Sequence, residues 1–214
     1  MTKITKLILL FISAAILSSC NKDSVDKQTS TKDNEKKEAL SQDKNKTGKE
    51  VTNTSSDIAN LFKVDKVEKS AGNNSVPNII WNEKGTQVSL KDMKGKVILV
   101  NLWATWCGPC VREMPDLSKI SEELKDKNFK MVGVNVFQQE RSKKVEDFLK
   151  TSPVSYTILD GNQDVVDALS EATGKPIEAV PTTFIIDKSG KIAETIIGGR
   201  DKETFLKIIN KYLN

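Results

Sequence analysis

Two cysteines separated by two residues, Cys107 and Cys110, are the side chains of this sequence best suited to chemistry. A strongly apolar run, 97–103, precedes the pair, and a segment with helical spacing, 111–127, follows it. This order places the first sulfur at the N-terminus of a helix, where the helix dipole and free N–H groups stabilise a thiolate. A thiolate with a second thiol within reach exchanges disulfides. The pair therefore predicts thiol–disulfide chemistry.

The composition excludes several other classes of site. The chain has no histidine, which rules out Ser-His and Cys-His catalysis and most zinc sites. Its net charge is only +4 with both signs mixed, so we expect no nucleic-acid partner. Two cysteines this close together constrain too short a loop to stabilise a fold. We therefore expect no metal and no cofactor, only a redox-active disulfide between Cys107 and Cys110.

Residues 1–19 are predicted to be an export signal. Lys3 and Lys6 give a positive start, and an apolar run, 7–17, is long enough for a signal but short for a membrane span. The run ends in Leu17-Ser18-Ser19-Cys20, which resembles the bacterial lipobox, in which the cysteine is lipidated. A retained signal anchor and a secretory signal with an incidental cysteine are the alternatives. We predict a lipoprotein signal peptide with lipidation at Cys20.

Residues 20–74 are predicted to form a lipidated cysteine followed by a flexible polar tether. Lys, Asp, Ser, Thr, Asn and Gln dominate this stretch, and apolar residues are too sparse to build a core. The apolar residues within 58–67 are compatible with one or two turns of helix. A flexible chain of this length has an end-to-end distance of about 40 Å. The tether either gives the domain reach or is a linker without further role.

The remaining part, 75–214, is predicted to be one α/β domain with a central mixed sheet flanked by helices. Segments 78–81 and 86–89 form a hairpin around Gly85, and 97–103 is a central strand buried on both faces. Further strands are predicted at 130–137, 156–159, 182–187 and 192–197, and further helices at 142–150, 163–172 and 204–213.

Two motifs carry a resemblance to a known family. The first is 100–110, ending in Trp-Cys-Gly-Pro-Cys and followed by Glu113 and Pro115; the second is Val-Pro-Thr-Thr-Phe at 180–184. Together they resemble the thioredoxin superfamily and, more narrowly, its extracytoplasmic TlpA/ResA group. The resemblance covers about 76–214. It implies a thioredoxin-like fold with an added N-terminal β-hairpin.

The active-site segment suggests a division of roles. Cys107, nearest the helix N-terminus, is the expected nucleophile, and Cys110 is the expected resolving thiol. The resemblance implies that the Gly108-Pro109 dipeptide favours a reductant, because strong oxidants of the family tend to carry a histidine there. Trp106 is expected to flank Cys107 as an exposed apolar surface for docking substrates.

The resemblance also implies two roles away from the cysteines. Pro181 is expected to be cis, so that Val180 offers its backbone to an extended substrate. Asn101 stands where cytoplasmic thioredoxin has a buried Asp, whereas Glu113 matches a glutamate typical of the TlpA/ResA group. A partly buried Glu113 would have a raised pKa and carry the proton of Cys110. The alternative is a surface glutamate paired with a lysine.

These features predict a monomeric enzyme, a protein-disulfide reductase anchored outside the cell membrane through Cys20. Its partners are expected to be disulfide-containing exported proteins, here called clients, and a membrane electron donor of the CcdA/DsbD type. By resemblance, an apocytochrome c is one such client. One alternative is electron donation to a methionine sulfoxide reductase or peroxidase. Another, of a different class, is a non-catalytic substrate-binding or chaperone module.

Overall fold

The computed structural model of the chain describes residues 58–70 and 73–214. Its strands are β1 (Leu61–Glu68), β2 (Asn78–Glu83), β3 (Thr86–Ser89), β4 (Val97–Trp103), β5 (Phe129–Asn135), β6 (Thr157–Asp160), β7 (Thr182–Ile186) and β8 (Ile192–Ile197). The helices are α1 (Gly108–Glu123), α2 (Val145–Thr151), α3 (Gln163–Thr173) and α4 (Lys202–Leu213), with one 3-10 turn at Leu90–Met93.

The eight strands form one mixed sheet in the order β3-β2-β1-β6-β5-β4-β7-β8. Four neighbouring strands, β1, β6, β5 and β4, are mutually parallel, and every other neighbouring pair is antiparallel. Together with helices packed on the sheet, this topology confirms the predicted thioredoxin-like α/β fold.

β4 is the central strand, and it is buried along its whole length. Alternate side chains enter two apolar clusters, one on each face of the sheet, as the two-residue period of a strand requires. Leu99 packs in the cluster that contains α1 and α4 residues, and Val100 packs in the cluster that contains α3 residues. Because both faces of β4 are covered, the segment that follows Trp103 is held in a fixed position at the carboxyl end of this strand.

The predicted N-terminal hairpin is present as β2 and β3. Both residues of its turn, Lys84 and Gly85, have positive φ angles of 52° and 92°. Such a turn matches the twist of paired strands, and glycine accepts this backbone at little cost. Ile79 and Trp81 are fully buried, so the hairpin is packed into the core.

The prediction of helix within 58–67, and of a tether reaching residue 74, is wrong. This segment forms β1, which pairs with β2 on one side and with β6 on the other. A bulge between Val64 and Lys66 shifts the register of β1. Val64 and Val67 are three apart in the sequence, which is a helical spacing, and the bulge lets both pack against the same apolar cluster. The folded domain therefore includes Leu61 and does not begin at 75.

The remaining predictions for the N-terminal part lie outside the described residues. These are the signal peptide 1–19, the lipidated Cys20 and the tether up to residue 57. Within 58–70 and 73–214, no helix combines the length and the apolar character needed to cross a membrane.

The position of β1 inside the sheet leads to a test of the domain boundary. A protein that starts at residue 75 lacks β1 and exposes edges of β2 and β6, whereas one that starts at residue 58 keeps all described strands. Losing the buried Leu61 and the partly buried Phe62 and Val64 removes several kcal/mol of apolar burial, at about 1.5–3 kcal/mol for each large side chain. We expect the shorter protein to melt at least about 10 °C lower. Equal melting temperatures in thermal unfolding would show that β1 contributes nothing.

Candidate active site

Cys107 and Cys110 form a disulfide bond at the start of α1, with a sulfur–sulfur distance of 2.04 Å. Cys107 is the N-cap residue of the helix, and its sulfur accepts a hydrogen bond from the backbone N–H of Cys110 at 3.2 Å. The same donor would stabilise a Cys107 thiolate after reduction. Cys107 is 3% exposed and Cys110 is 0% exposed, so Cys107 is the sulfur that a partner reaches first.

Gly108 and Pro109 occupy the first two positions of α1. Proline is tolerated there because the first N–H groups of a helix have no intrahelical partner in any case. The dipeptide therefore lets the helix begin immediately after Cys107, which keeps that sulfur at the positive end of the helix dipole.

A loop preceding β7 faces the disulfide. The Val180–Pro181 peptide bond is cis, as the resemblance predicted. The carbonyl oxygen of Val180 lies 3.5 Å from the sulfur of Cys107. The backbone N–H of Val180 has no hydrogen-bond partner among the residues that the structure describes. This peptide group is therefore placed to pair with an extended chain lying across Cys107.

Trp106 directly precedes Cys107 and is 44% exposed. Its indole N–H donates to the carbonyl oxygen of Phe137 at 2.8 Å. Phe137 has a φ of 54°, a conformation that bulky residues rarely adopt. The bond fixes the orientation of an indole that still faces solvent, as expected for a docking surface. Trp103, by contrast, is fully buried and belongs to the core.

Glu113 lies one helical turn beyond Cys110 in α1 and is only 5% exposed. Its carboxylate accepts a hydrogen bond from Asn101 Nδ2 at 2.9 Å and from the backbone N–H of Arg200 at 3.3 Å. Asn101 Nδ2 also donates to Thr183 Oγ1 at 2.9 Å. The predicted partly buried carboxylate is confirmed, and the alternative of a surface glutamate paired with lysine is wrong.

Burial raises the pKa of Glu113 from its usual 4.5 to about 7, because the charged form loses hydration. The hydrogen bonds from Asn101 and Arg200, and the charge of Arg200, oppose this rise in pKa. A carboxyl group with a pKa near neutrality can both take up and release a proton under ordinary conditions. The site thus combines a disulfide at the start of α1 with a buried carboxyl group one helical turn beyond Cys110.

The loop between β8 and α4 is the part of the site that the sequence did not predict. In the sequence, Gly198 and Gly199 only mark the end of the strand predicted at 192–197. The N–H of Gly198 donates to the carbonyl oxygen of Pro181 at 2.8 Å, and a β-carbon on Gly199 would lie 3.2 Å from Glu113 Oε2. Ile197, at the end of β8, is 68% exposed. A glycine pair directly after an edge strand is the only sequence signal of this contact.

Comparison with known proteins places these features in a wider group. The family model Redoxin matches residues 71–212. The thiol-disulfide oxidoreductase ResA of Bacillus cereus is 30% identical over 143 residues, which cover 66% of this chain and 78% of that protein. ResA of Bacillus subtilis is 28% identical over 158 residues, covering 73% of this chain and 82% of that protein.

Solved structures agree with the sequence matches. A thiol:disulfide interchange protein of the thioredoxin family from Chlorobium tepidum superimposes with a TM-score of 0.59 at 29% identity. The alignment covers 68% of this chain and 99% of that structure. A second Chlorobium tepidum structure, a putative thiol:disulfide interchange protein DsbE, gives a TM-score of 0.53 at 28% identity and covers 71% of this chain and 100% of that one.

The burial of Glu113 predicts a pH-dependent cost in stability. Since the pKa is about 7 in the folded protein and 4.5 as its ordinary value, the folded state holds the proton more tightly. The stability that this tighter proton binding contributes to the folded state is fully present below pH 4.5 and is lost as the pH rises through 7. Glu113→Gln has no charge to bury, so its free energy of unfolding should exceed that of the native protein by up to about 3 kcal/mol at pH 8.

Below pH 4.5 the two proteins should be equally stable, because Glu113 is then neutral. Denaturant unfolding of the oxidised forms across this pH range measures the difference. A difference that does not change with pH would show that Glu113 does not titrate in this range.

Proposed function

The chain belongs to the Redoxin family, with relatives named thiol-disulfide oxidoreductase ResA, and we propose that it reduces disulfide bonds of exported proteins outside the cell membrane. It is a thiol–disulfide oxidoreductase whose exchanging pair is Cys107 and Cys110. One observation carries the proposal: the disulfide at the start of α1 lies against the Val180 carbonyl, and the buried Glu113 lies one helical turn beyond Cys110.

The reaction begins with the reduced enzyme. The Cys107 thiolate attacks one sulfur of the client disulfide, forms a mixed disulfide and displaces the other client sulfur as a thiolate. The Val180 peptide group pairs with the client backbone, and Trp106 supplies an apolar surface beside the reacting sulfurs.

The second step releases the client. The thiol of Cys110 gives its proton to the Glu113 carboxylate and attacks the Cys107 sulfur, so that the Cys107–Cys110 disulfide forms. The remaining client sulfur leaves as a thiolate. The two client thiolates take up two protons, one of them balanced by the proton that Glu113 returns to solvent. The client gains two electrons, and the enzyme loses two.

The Gly108-Pro109 dipeptide supports the reducing direction, because the resemblance associates it with reductants. Thioredoxin has a potential of about −270 mV, whereas the oxidant DsbA has about −120 mV. Work in an oxidising compartment requires a supply of electrons. We propose a membrane donor of the CcdA/DsbD type, which re-reduces the Cys107–Cys110 pair by the same exchange in reverse.

The location is proposed from the sequence. The segment 1–19 has the features of an export signal, and Cys20 lies at the end of a lipobox-like tetrapeptide. Lipidation at Cys20 would hold the domain close to a membrane donor, and the polar stretch that follows would let it meet clients. An apocytochrome c, whose haem-binding cysteines must be reduced, is a client of this kind.

The proton role of Glu113 is tested by Glu113→Gln. Gln keeps the size of the side chain but cannot accept the proton of Cys110, so resolution of the mixed disulfide should slow by about 100-fold at pH 7. The first attack by Cys107 should be unaffected. Stopped-flow measurement of the two steps with a fluorescent disulfide peptide separates them. Glu122→Gln, an exposed change on the same helix, serves as the control, and an unchanged resolution rate across pH would remove the proton role.

The reducing function is tested by trapping. Cys110→Ala leaves Cys107 able to attack but removes the resolving thiol, so mixed disulfides with clients and with the donor should accumulate. Mass spectrometry of the trapped complexes from membranes identifies both partners, and Cys107→Ala should trap neither. A measured potential of the Cys107–Cys110 pair near that of DsbA, about −120 mV, would reverse the proposed direction.

A further inference from the structure

A cleft opens beside the disulfide, between the first turns of α1 and the loop that joins β8 to α4. Two arginines and three acidic residues line it together with a proline and a glycine: Pro109, Arg112, Glu113, Asp116, Gly199, Arg200 and Asp201. We call it the arginine cleft. Pro109 stands between the two active-site cysteines, so the cleft begins where a client disulfide must dock.

Arginine is rare in this chain, which makes its placement informative. Of 33 basic residues only three are arginines, Arg112, Arg141 and Arg200, and two of them line the arginine cleft. Lysine and arginine carry the same charge, but the planar guanidinium group offers paired N–H donors that match the two oxygens of a carboxylate.

Both guanidinium groups lie at the rim of the active site. Arg112 Nη1 is 3.4 Å from the position that a β-carbon on Gly108 would occupy. Arg200 Nη1 donates to the carbonyl oxygens of Gly199 at 2.8 Å and Gly198 at 3.3 Å. The backbone N–H of Gly198 in turn donates a hydrogen bond to the carbonyl oxygen of Pro181 in the cis-proline loop. The two cations therefore stand next to the Cys107–Cys110 turn and next to the cis-proline loop.

The acidic groups nearby do not form ion pairs with these cations. Asp116 pairs with Lys119 at 3.0 Å, and Asp201 accepts a hydrogen bond from the N–H of Thr204 at 2.8 Å. In the part of the chain that the structure describes, Arg112 has no hydrogen-bond or ion-pair partner, and no carboxylate lies within ion-pair distance of Arg200. Most guanidinium N–H donors in the cleft are thus available for an incoming anion.

We propose that Arg112 and Arg200 form a subsite that binds an acidic side chain of the client, close in sequence to the cysteine that Cys107 attacks. This inference rests on the proposed function, since a client held at Cys107 brings its neighbouring residues to the cleft. The ligand is an Asp or Glu of a polypeptide: its carboxylate matches the guanidinium fork, and its covalent link to the reacting sulfur holds it at the site. The subsite would select among clients without taking part in the exchange of sulfurs.

The test uses pairs of disulfide-bonded peptides that differ in one residue. Each peptide has an amidated C-terminus and carries either Glu or Gln two residues from the reactive cysteine. The purified enzyme, with dithiothreitol supplying electrons, should reduce the Glu peptide with a kcat/KM about five-fold higher than the Gln peptide at low ionic strength. The preference should shrink at 0.5 M salt, a concentration chosen because salt screens exposed charges over about 4 Å or more.

Variants of the arginines locate the effect. Arg112→Gln and Arg200→Gln should each lower the Glu-over-Gln ratio, and the double change should bring it close to one. Arg112 is exposed and has no hydrogen-bond or ion-pair partner among the described residues, so its variant keeps the test valid even if Arg200→Gln disturbs the loop. Arg141→Gln removes the same charge outside the cleft and should keep the five-fold ratio.

The outcomes separate the two claims. Equal reduction of both peptides by the native enzyme, or a preference that survives in the double variant, would overturn the subsite while leaving the proposed function intact. Failure of the native enzyme to reduce either peptide would overturn the proposed function, and the subsite with it.

Discussion

The buried carboxylate of Glu113 connects the segments that make up the active site. Glu113 belongs to α1, its hydrogen-bond donor Asn101 belongs to β4, and its second donor is the backbone of Arg200 after β8. Asn101 extends the connection to Thr183 in β7. Through these bonds the helix that carries both cysteines is fixed to the central strand, to the strand after the cis-proline and to the loop beside the cleft.

A carboxylate in this position is expensive for the fold. Desolvation of the charged form costs stability, and the two hydrogen bonds to it offset only part of that cost, since its pKa remains well above the ordinary value. An apolar residue would suit the surrounding core better. The arrangement is understandable as a chemical requirement, because a carboxyl group with a pKa near 7 exchanges protons with thiols far better than one near 4.5.

The sequence predicted the site where one residue type permits few conformations or environments. The run 97–103 is apolar throughout and forms β4 with the expected bounds. The cis bond before Pro181 was implied by the family resemblance, since proline by itself favours the trans form. The prediction failed at β1, where the bulge after Val64 replaces a two-residue period with a three-residue one. It also missed the contact between Arg200 and Glu113, because a backbone N–H donates the bond and any residue except proline supplies one.

Gly199 affects both the burial of Glu113 and its access to solvent. Burial keeps the pKa of this carboxyl group near 7, and in the proposed reaction the group also has to exchange protons with solvent in each cycle. Glu113 and Gly199 both line the arginine cleft, so the carboxyl group adjoins an open space there. A β-carbon on Gly199 would come within 3.2 Å of Glu113 Oε2 and force one of the two groups to move. The absence of a side chain at Gly199 therefore lets the loop approach closely enough to bury Glu113 while leaving it next to the cleft.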